Sequence, residues 1–260
     1  MKALVLAAGY ATRLRPLTDT WAKELLPVGG RPIIDWILDA VSDVGAVDEV
    51  HVVTNSNKAP VFREWAAARD GDVRVHDDGT SSNDDRLGAI GDLRFVIDSA
   101  GIDDDMLVIA GDNLFDFSLG DFATFWDGKR GGAAASAVAV RDVGSLELAR
   151  RYGIVALDDQ ARVTEFVEKP EHPPSTLAAT ATYLFDRRHV ARVGEYLDAG
   201  NPHDQPGLYV AWLQQVEPVY GWLFVEPWYD IGDAAQLLVA DNHLRARRGM
   251  PERDTYSPDA

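Results

Sequence analysis

Four short apolar, β-branched runs recur through the first 115 residues: KALVLA (2–7), EVHVVTN (49–55), VRVHDD (73–78) and MLVIAGDN (106–113). Helical patterns separate them. PIIDWILDAVSDVG (32–45) carries Pro in its first turn and Gly at its end, and both are helix punctuation. A second helix falls around 58–69, and RLGAIGDLRFVIDSAG (86–101) has apolar residues at helical spacing. Near-continuous apolar strands are buried on both faces, and strand–helix alternation implies parallel pairing through crossovers. The expected fold is α/β, a doubly wound, mainly parallel sheet with helices on both faces.

After about residue 133 the rhythm changes. ASAVAV (135–140), GIVALD (153–158), VTEFVEKP (163–170) and ATATYLF (179–185) read as strands with fewer helices between them. They predict a smaller mixed-sheet layer that carries a second substrate. EYLDAG (195–200) closes a short helix, VYGWLFV (219–225) is a strand, and DAAQLLVADNHLRARRG (233–249) is a C-terminal helix. There is no internal repeat and no linker-like segment. Residues 1–250 therefore read as a single domain, divided at about 132/133, and the tail 251–260 is expected to fray.

The formal net charge of -17 argues against broad binding of nucleic acid or of anionic membranes, which need a basic surface. It does not exclude a small anionic substrate, because a few converging Arg and Lys can make a positive pocket. The chain has no cysteine, which excludes disulfides, thiolate nucleophiles and Cys-ligated zinc. The six histidines show no metal-binding spacing. No signal-peptide pattern opens the chain and no apolar run approaches membrane length, so a cytoplasmic protein is expected.

The first strand runs into AAGYATRL, a turn of small residues, and two cations follow, Arg13 and Lys23. It matches neither G-x-G-x-x-G nor G-x-x-x-x-G-K-[ST]. A small-residue turn lets backbone N–H groups approach a phosphate, Arg13 offers a planar fork, and Lys23 offers a mobile point charge. A plain strand–helix turn with two surface cations fits the local chemistry equally well.

The longer stretch LAAGYATRLRPLTDTWAKELLPVGGRPII (6–34) resembles the signature of the sugar-1-phosphate nucleotidylyltransferases, the family that includes glucose-1-phosphate thymidylyltransferase. Further motifs agree in order: AGDNLF (110–115), RYGIV (151–155), FVEKP (166–170) and WYDIGD (228–233). The resemblance covers roughly residues 1 to 245. It implies a nucleotide site at Leu6, Ala7, Ala8, Gly9, Thr12, Arg13, Lys23, Asp85 and Gly88. It implies catalytic roles for Arg13, Lys23 and Asp112. Sugar-phosphate contacts are implied at Asn113, Tyr152, Gly153, Glu168, Lys169, Thr180 and Trp228, and Mg2+ ligation at Asp112 and Asp230. Taken alone, Asp112 is also a common strand-end turn residue, and Glu168-Lys169 a common solvated strand end.

The implied partners are a nucleoside triphosphate and a sugar-1-phosphate. dTTP leads on the strength of Gly111-Asp112-Asn113, with UTP next and CTP or GTP left open, glucose-1-phosphate is the default sugar, and a homo-oligomer is compatible. Two rival readings are a cytidylyltransferase acting on a phosphonate or phosphocholine, and a non-catalytic nucleotide-sugar sensor. Tyr152-Gly153 and Glu168-Lys169 favour a sugar. A sensor would be expected to lose Arg13, Lys23, Asp112 or Asp230, and all four are present.

The chain departs from the family pattern at three places. Ala11 stands where the family turn has Gly, which predicts a negative φ there. Asp85 occupies the place of the Gly in the base-recognition loop, inside the polar run SSNDDR (81–86). Ala181 stands where many relatives have Gly near the sugar. The β-helix of longer relatives is not matched, so acyltransferase activity and β-helix-mediated regulation are not expected.

Overall fold

The structure, a computed structural model, describes residues 1–69 and 71–258. A nine-stranded sheet runs through the molecule. Its first half is built from β1 (Lys2–Ala7), α1 (Ile33–Ser42), β2 (Glu49–Thr54), α2 (Ala59–Ala67), β3 (Val73–Asp77), α3 (Gly88–Ala100) and β4 (Met106–Ala110). β1 lies between β4 and β2, with β3 outside β2, and all these pairings are parallel. This is the doubly wound arrangement expected from the strand–helix alternation.

The MLVIAGDN run does not continue as one strand. The Gly111 N–H turns back onto the Leu6 carbonyl at 2.8 Å, and a Cβ on Gly111 would lie 2.9 Å from that same oxygen. The chain breaks there and resumes as β5 (Asn113–Phe115). After α4 (Leu119–Arg130) come β6 (Ser136–Asp142), β7 (Gly153–Leu157), β8 (Val163–Glu168) and β9 (Leu177–Phe185). These are followed by α5 (Pro206–Leu213), β10 (Val219–Phe224), β11 (Trp228–Asp230) and α6 (Ala234–Arg247). β5 and β11 form a separate antiparallel ribbon.

The later strands extend the same sheet in mixed fashion. β9 pairs antiparallel with β4 through Thr182–Phe185, with β6 along its other edge, and with β7 at Ala178. Its register shifts between Ala179 and Tyr183, where Ala181 has φ 52. That bulge lets a single strand pass from β7 to β4. The two apolar cores lie on opposite faces. One gathers α1, α4 and α6 against the sheet, and the other gathers α3 and α5.

Among the described residues, two helices of eight or more residues, and three single-turn ones, are additional to the sequence reading. α4 is announced by Ser118, whose Oγ accepts the Asp121 N–H at 3.1 Å, and it ends at Gly131 in the left-handed conformation. α5 has Pro at its first position. The tail is a correction, because through residue 258 it packs back on the body instead of fraying. The Tyr256 hydroxyl donates to the Pro27 carbonyl at 2.9 Å, and the Asn242 amide exchanges two hydrogen bonds with the Arg253 backbone. Residues 259–260 lie outside the described residues.

Candidate active site

β1, β2, β3 and β4 all end at one edge of the sheet, and there the segments after β1, β3 and β4 line a cleft of about 400 Å³. The strands after residue 133 supply its other wall through Tyr152, Gly153, Glu168, Lys169, Thr180 and Trp228. Open α/β sheets place ligands at this edge because the connecting loops diverge there.

Asp112 sits at the centre, just beyond β4. Lys23 donates to its Oδ2 at 2.5 Å and to the Ile231 carbonyl at 3.1 Å, and the Asn113 amide donates to its Oδ1 at 2.8 Å. Burial pushes the Asp112 carboxyl up, but the charge and hydrogen bond of Lys23 outweigh it and hold the group below the usual range. Burial works against the Lys23 charge too, and Asp112 and Glu24 overcome it. This pair is therefore ionised at neutral pH.

The β5–β11 ribbon sets Asp230 opposite Asn113, and the Ile231 N–H bonds the Asp112 carbonyl at 3.0 Å. The Asp230 carboxyl accepts no hydrogen bond among the described residues. Burial, then the Asp112 charge, raises it to about 6, opposed by Lys23, Arg13 and Arg151. An ionised carboxylate beside a second one that lacks a hydrogen bond is a donor set that fits a hard divalent cation. The described residues contain no cluster of three or more His, Cys, Asp or Glu suited to a metal, so such an ion would draw further oxygens from substrate.

The small-residue turn places Ala8 and Gly9 on the cleft with Leu6, while Ala7 is buried beneath it. Ala11 has φ 45, which corrects the expected negative value. It sits in the left-handed region just before the 3-10 turn Thr12–Leu14, a conformation that strains a non-Gly residue. Thr12 and Arg13 are exposed and are not among the residues that line the cleft, and Arg13 acts on it through its charge near Asp230. The Arg13 guanidinium packs against Gly232, where a Cβ would lie 3.1 Å from one of its nitrogens.

On the opposite wall Gly153 leaves room for Glu168. A Cβ there would fall 2.6 Å from Phe166 and 2.8 Å from Glu168 Oε2. Burial raises the Glu168 carboxyl, and Lys169 is 3.5 Å from its other oxygen. The Lys169 N–H holds the Tyr152 carbonyl at 3.0 Å, the Tyr152 ring meets Trp228 edge-on, and the Trp228 indole donates to Asn113 at 2.6 Å. The Thr180 hydroxyl donates to the Ala139 carbonyl at 3.0 Å.

At the far end of the cleft, Gly88 has φ 74 and packs so tightly on His203 that a Cβ would lie 2.6 Å from its carbonyl oxygen. Asp85 does not line the cleft. Its carboxylate turns into its own loop, accepting the Ser81 and Ser82 N–H groups at 3.1 and 2.7 Å. Asn83 and Arg86 from the same loop face the cleft instead, and Arg86 is held by Asp204 at 3.0 and 3.2 Å.

Three groups escaped the sequence reading. Glu24 is buried on the cleft wall, and burial raises it to about 7 against the opposing charge of Lys23. Asp78 and Asp92 form a buried carboxyl pair on the cleft. Asp78 follows β3 as Asp112 follows β4, and that shared strand-end position was the available signal.

The nucleotidyl transferase family matches residues 2–247. The UTP–glucose-1-phosphate uridylyltransferase AglF of Haloferax volcanii is 36% identical over 185 residues, 71% of this chain and 72% of its own length. A glucose-1-phosphate thymidylyltransferase of Streptomyces antibioticus is 34% identical over 186 residues, and the match spans 49% of its length. A solved UDP-glucose pyrophosphorylase in complex with UDP-glucose superposes with TM-score 0.80 at 21% identity, covering 95% of this chain and 99% of that one. At that identity the likeness speaks for the fold. The family match extends from β1 to the end of α6, and the chain belongs to the nucleotidyl transferase family, in its sugar-1-phosphate nucleotidylyltransferase branch.

Proposed function

We propose that the protein transfers a nucleotidyl group from a nucleoside triphosphate, dTTP or UTP, to a sugar-1-phosphate, with glucose-1-phosphate the default, giving an NDP-sugar and pyrophosphate. The observation that carries this reading is the meeting of Lys23, Asp112 and Asp230 midway along one cleft, between the ends of the first-half strands and the Gly153–Glu168 wall. Residues 1–132 would hold the nucleotide and 133–250 the sugar phosphate.

In this reaction a phosphate oxygen of the sugar-1-phosphate bonds to the α-phosphorus while the bond to the bridging oxygen of pyrophosphate breaks. The nucleophile is already anionic at neutral pH, so the site needs no general base. It must bring two anions into line and offset their repulsion. The backbone of Leu6, Ala8 and Gly9 would receive the triphosphate, and Lys23, fixed between Asp112 and the Ile231 carbonyl, would hold positive charge beside it. Arg13 would meet charge that develops on the departing pyrophosphate. Glu168, beside the backbone opening at Gly153, would accept sugar hydroxyls, and Lys169 would meet the sugar phosphate. Asp112 and Asp230 would hold Mg2+, which supplies Lewis-acid neutralisation of phosphate oxygens.

A pyrophosphate-release screen crossing five triphosphates with a panel of sugar phosphates tests the proposal. The expected result is release with dTTP or UTP and a hexose-1-phosphate. Release only with phosphocholine or a phosphonate, or no release with any pair, would overturn it.

A further inference from the structure

The β5–β11 ribbon sets Asn113 opposite Asp230, Leu114 opposite Tyr229 and Phe115 opposite Trp228. Side chains alternate faces along a strand, so Asn113, Asp230 and Trp228 belong to one face of the ribbon, and all three line the cleft. Leu114, between them in the alternation, is buried in the core with Tyr229 packed against it. Asn113 and Trp228 are diagonal neighbours across the ribbon, a separation that an indole can reach over.

The contact they make has a fixed polarity. The Trp228 indole donates to Asn113 Oδ1 at 2.6 Å, and the Asn113 amide nitrogen donates to Asp112 Oδ1 at 2.8 Å. An indole N–H can only donate and an ionised carboxylate can only accept, so one amide orientation alone satisfies both ends. Lys23 holds the other carboxylate oxygen, Oδ2, at 2.5 Å. Donors on both oxygens fix the plane of the Asp112 carboxylate, whose last torsion is otherwise broad. Each oxygen keeps lone-pair capacity for a cation. The indole that locks the amide is held in turn on the sugar wall. Trp228 meets the Tyr152 ring edge-on, and the Tyr152 carbonyl accepts the Lys169 N–H at 3.0 Å.

We propose that Asn113 and Trp228 are positioning residues for Asp112, a relay in which the indole N–H locks the amide and the amide sets the carboxylate plane for its cation. This role rests on reading Asp112 as a cation ligand. It revises the sugar-phosphate contacts that the sequence implies for the pair. The indole N–H is spent on Asn113, and the second amide hydrogen of Asn113 is what the relay leaves for a ligand.

Mn2+ binding to the full chain without substrates, read from the electron paramagnetic resonance of the free ion, tests the relay apart from turnover. Mn2+ stands in for Mg2+ because carboxylate and water oxygens suit both ions. The site followed is the one that Asp112→Asn removes. Trp228→Phe, which keeps a ring but lacks the N–H, and Asn113→Ala should each weaken that site about 10- to 100-fold, the usual cost of losing an outer-shell partner of a metal ligand. The double variant should fall within about twofold of Asn113→Ala alone, because the two bonds act in series. Native-like Mn2+ affinity in either folded single variant overturns the relay, and so do single losses that multiply in the double variant. Both of those outcomes leave the nucleotidyl-transfer reading standing. Should Asn113→Ala fail to fold by circular dichroism, Trp228→Phe decides alone. A native chain with no Mn2+ site that depends on Asp112 removes the relay and the shared-cation assignment together, whereas the pyrophosphate-release screen judges the transfer reaction by itself.

Discussion

Lys23 Nζ lies 2.5 Å from Asp112 Oδ2, and the same ammonium reaches the carbonyl of Ile231, the residue after Asp230. One cation thus ties the loop after the first strand to the end of β4 and to the ribbon near the C-terminus. This arrangement is a structural joint, so a change at any of these residues must be read for folding as well as for rate.

Arg13 has a different standing, because it is exposed and its guanidinium rests on Gly232. Its loss should leave stability within about 0.5 kcal/mol, as for most surface substitutions. Arg13→Ala should lower kcat by about 100-fold or more, the scale of one preorganised electrostatic contact to a transition state. Arg13→Lys should recover only part of this, because an ammonium cannot reproduce the planar fork. Near-normal kcat in Arg13→Ala, measured by pyrophosphate release, would remove the residue from the mechanism.

Gly153 tests the sugar wall. Its missing Cβ is the space into which Phe166 and Glu168 pack. Gly153→Ala should cost about 1–3 kcal/mol through overpacking, read from denaturant unfolding. It should also raise KM for the sugar phosphate more than KM for the triphosphate, since Glu168 is the polar group displaced. Equal changes in both KM values would mean that Glu168 does not serve the sugar.

Away from the cleft, His51 is fully buried on β2 and its Nδ1 meets His76 Nε2 at 2.8 Å. Burial, then the neighbouring His76, lowers His51 to about 4 from the ordinary 6.5. The unfolded chain therefore takes up the proton first as pH falls. The contribution of neutral His51 is present above about 6.5 and is lost as pH falls toward 4. The stability difference between the native protein and His51→Val should shrink by roughly 1–3 kcal/mol between pH 7 and 4.5. A difference that stays constant over that range would show that His51 does not titrate on unfolding.

The strand–helix alternation and the strand-end motifs were legible because each is local. Lys2–Ala7, Glu49–Thr54 and Val73–Asp77 follow from apolar runs, and the cleft positions of Gly9, Asp112, Gly153 and Glu168 follow from motifs near strand ends. What depends on distant pairing was not legible. Nothing near Ala181 in sequence says that its strand crosses from β7 to β4, which is what forces its positive φ. The Asp78–Asp92 pair needed the packing of α3 beside the end of β3. The family resemblance puts Asp85 at the base-recognition loop, whereas its carboxylate is satisfied by its own turn, a choice made by two serine N–H groups. The packing of the tail was not legible because Tyr256 finds its partner at Pro27, remote in sequence, and Arg253 finds Asn242 across the end of α6.

The central claim is that Asp112 and Asp230, far apart in the sequence, serve one cation and one set of phosphates. The most direct measurement is a double-mutant cycle on kcat, with triphosphate binding followed in parallel, for Asp112→Asn, Asp230→Asn and the pair in saturating Mg2+. Residues that act as one unit lose their function together. Each single variant should lower kcat by about 100-fold or more while triphosphate binding changes far less, and the double variant should be little worse than either. If the two losses multiply, so that the double variant falls by the product of the single effects, the carboxylates act independently and the shared-cation account is wrong.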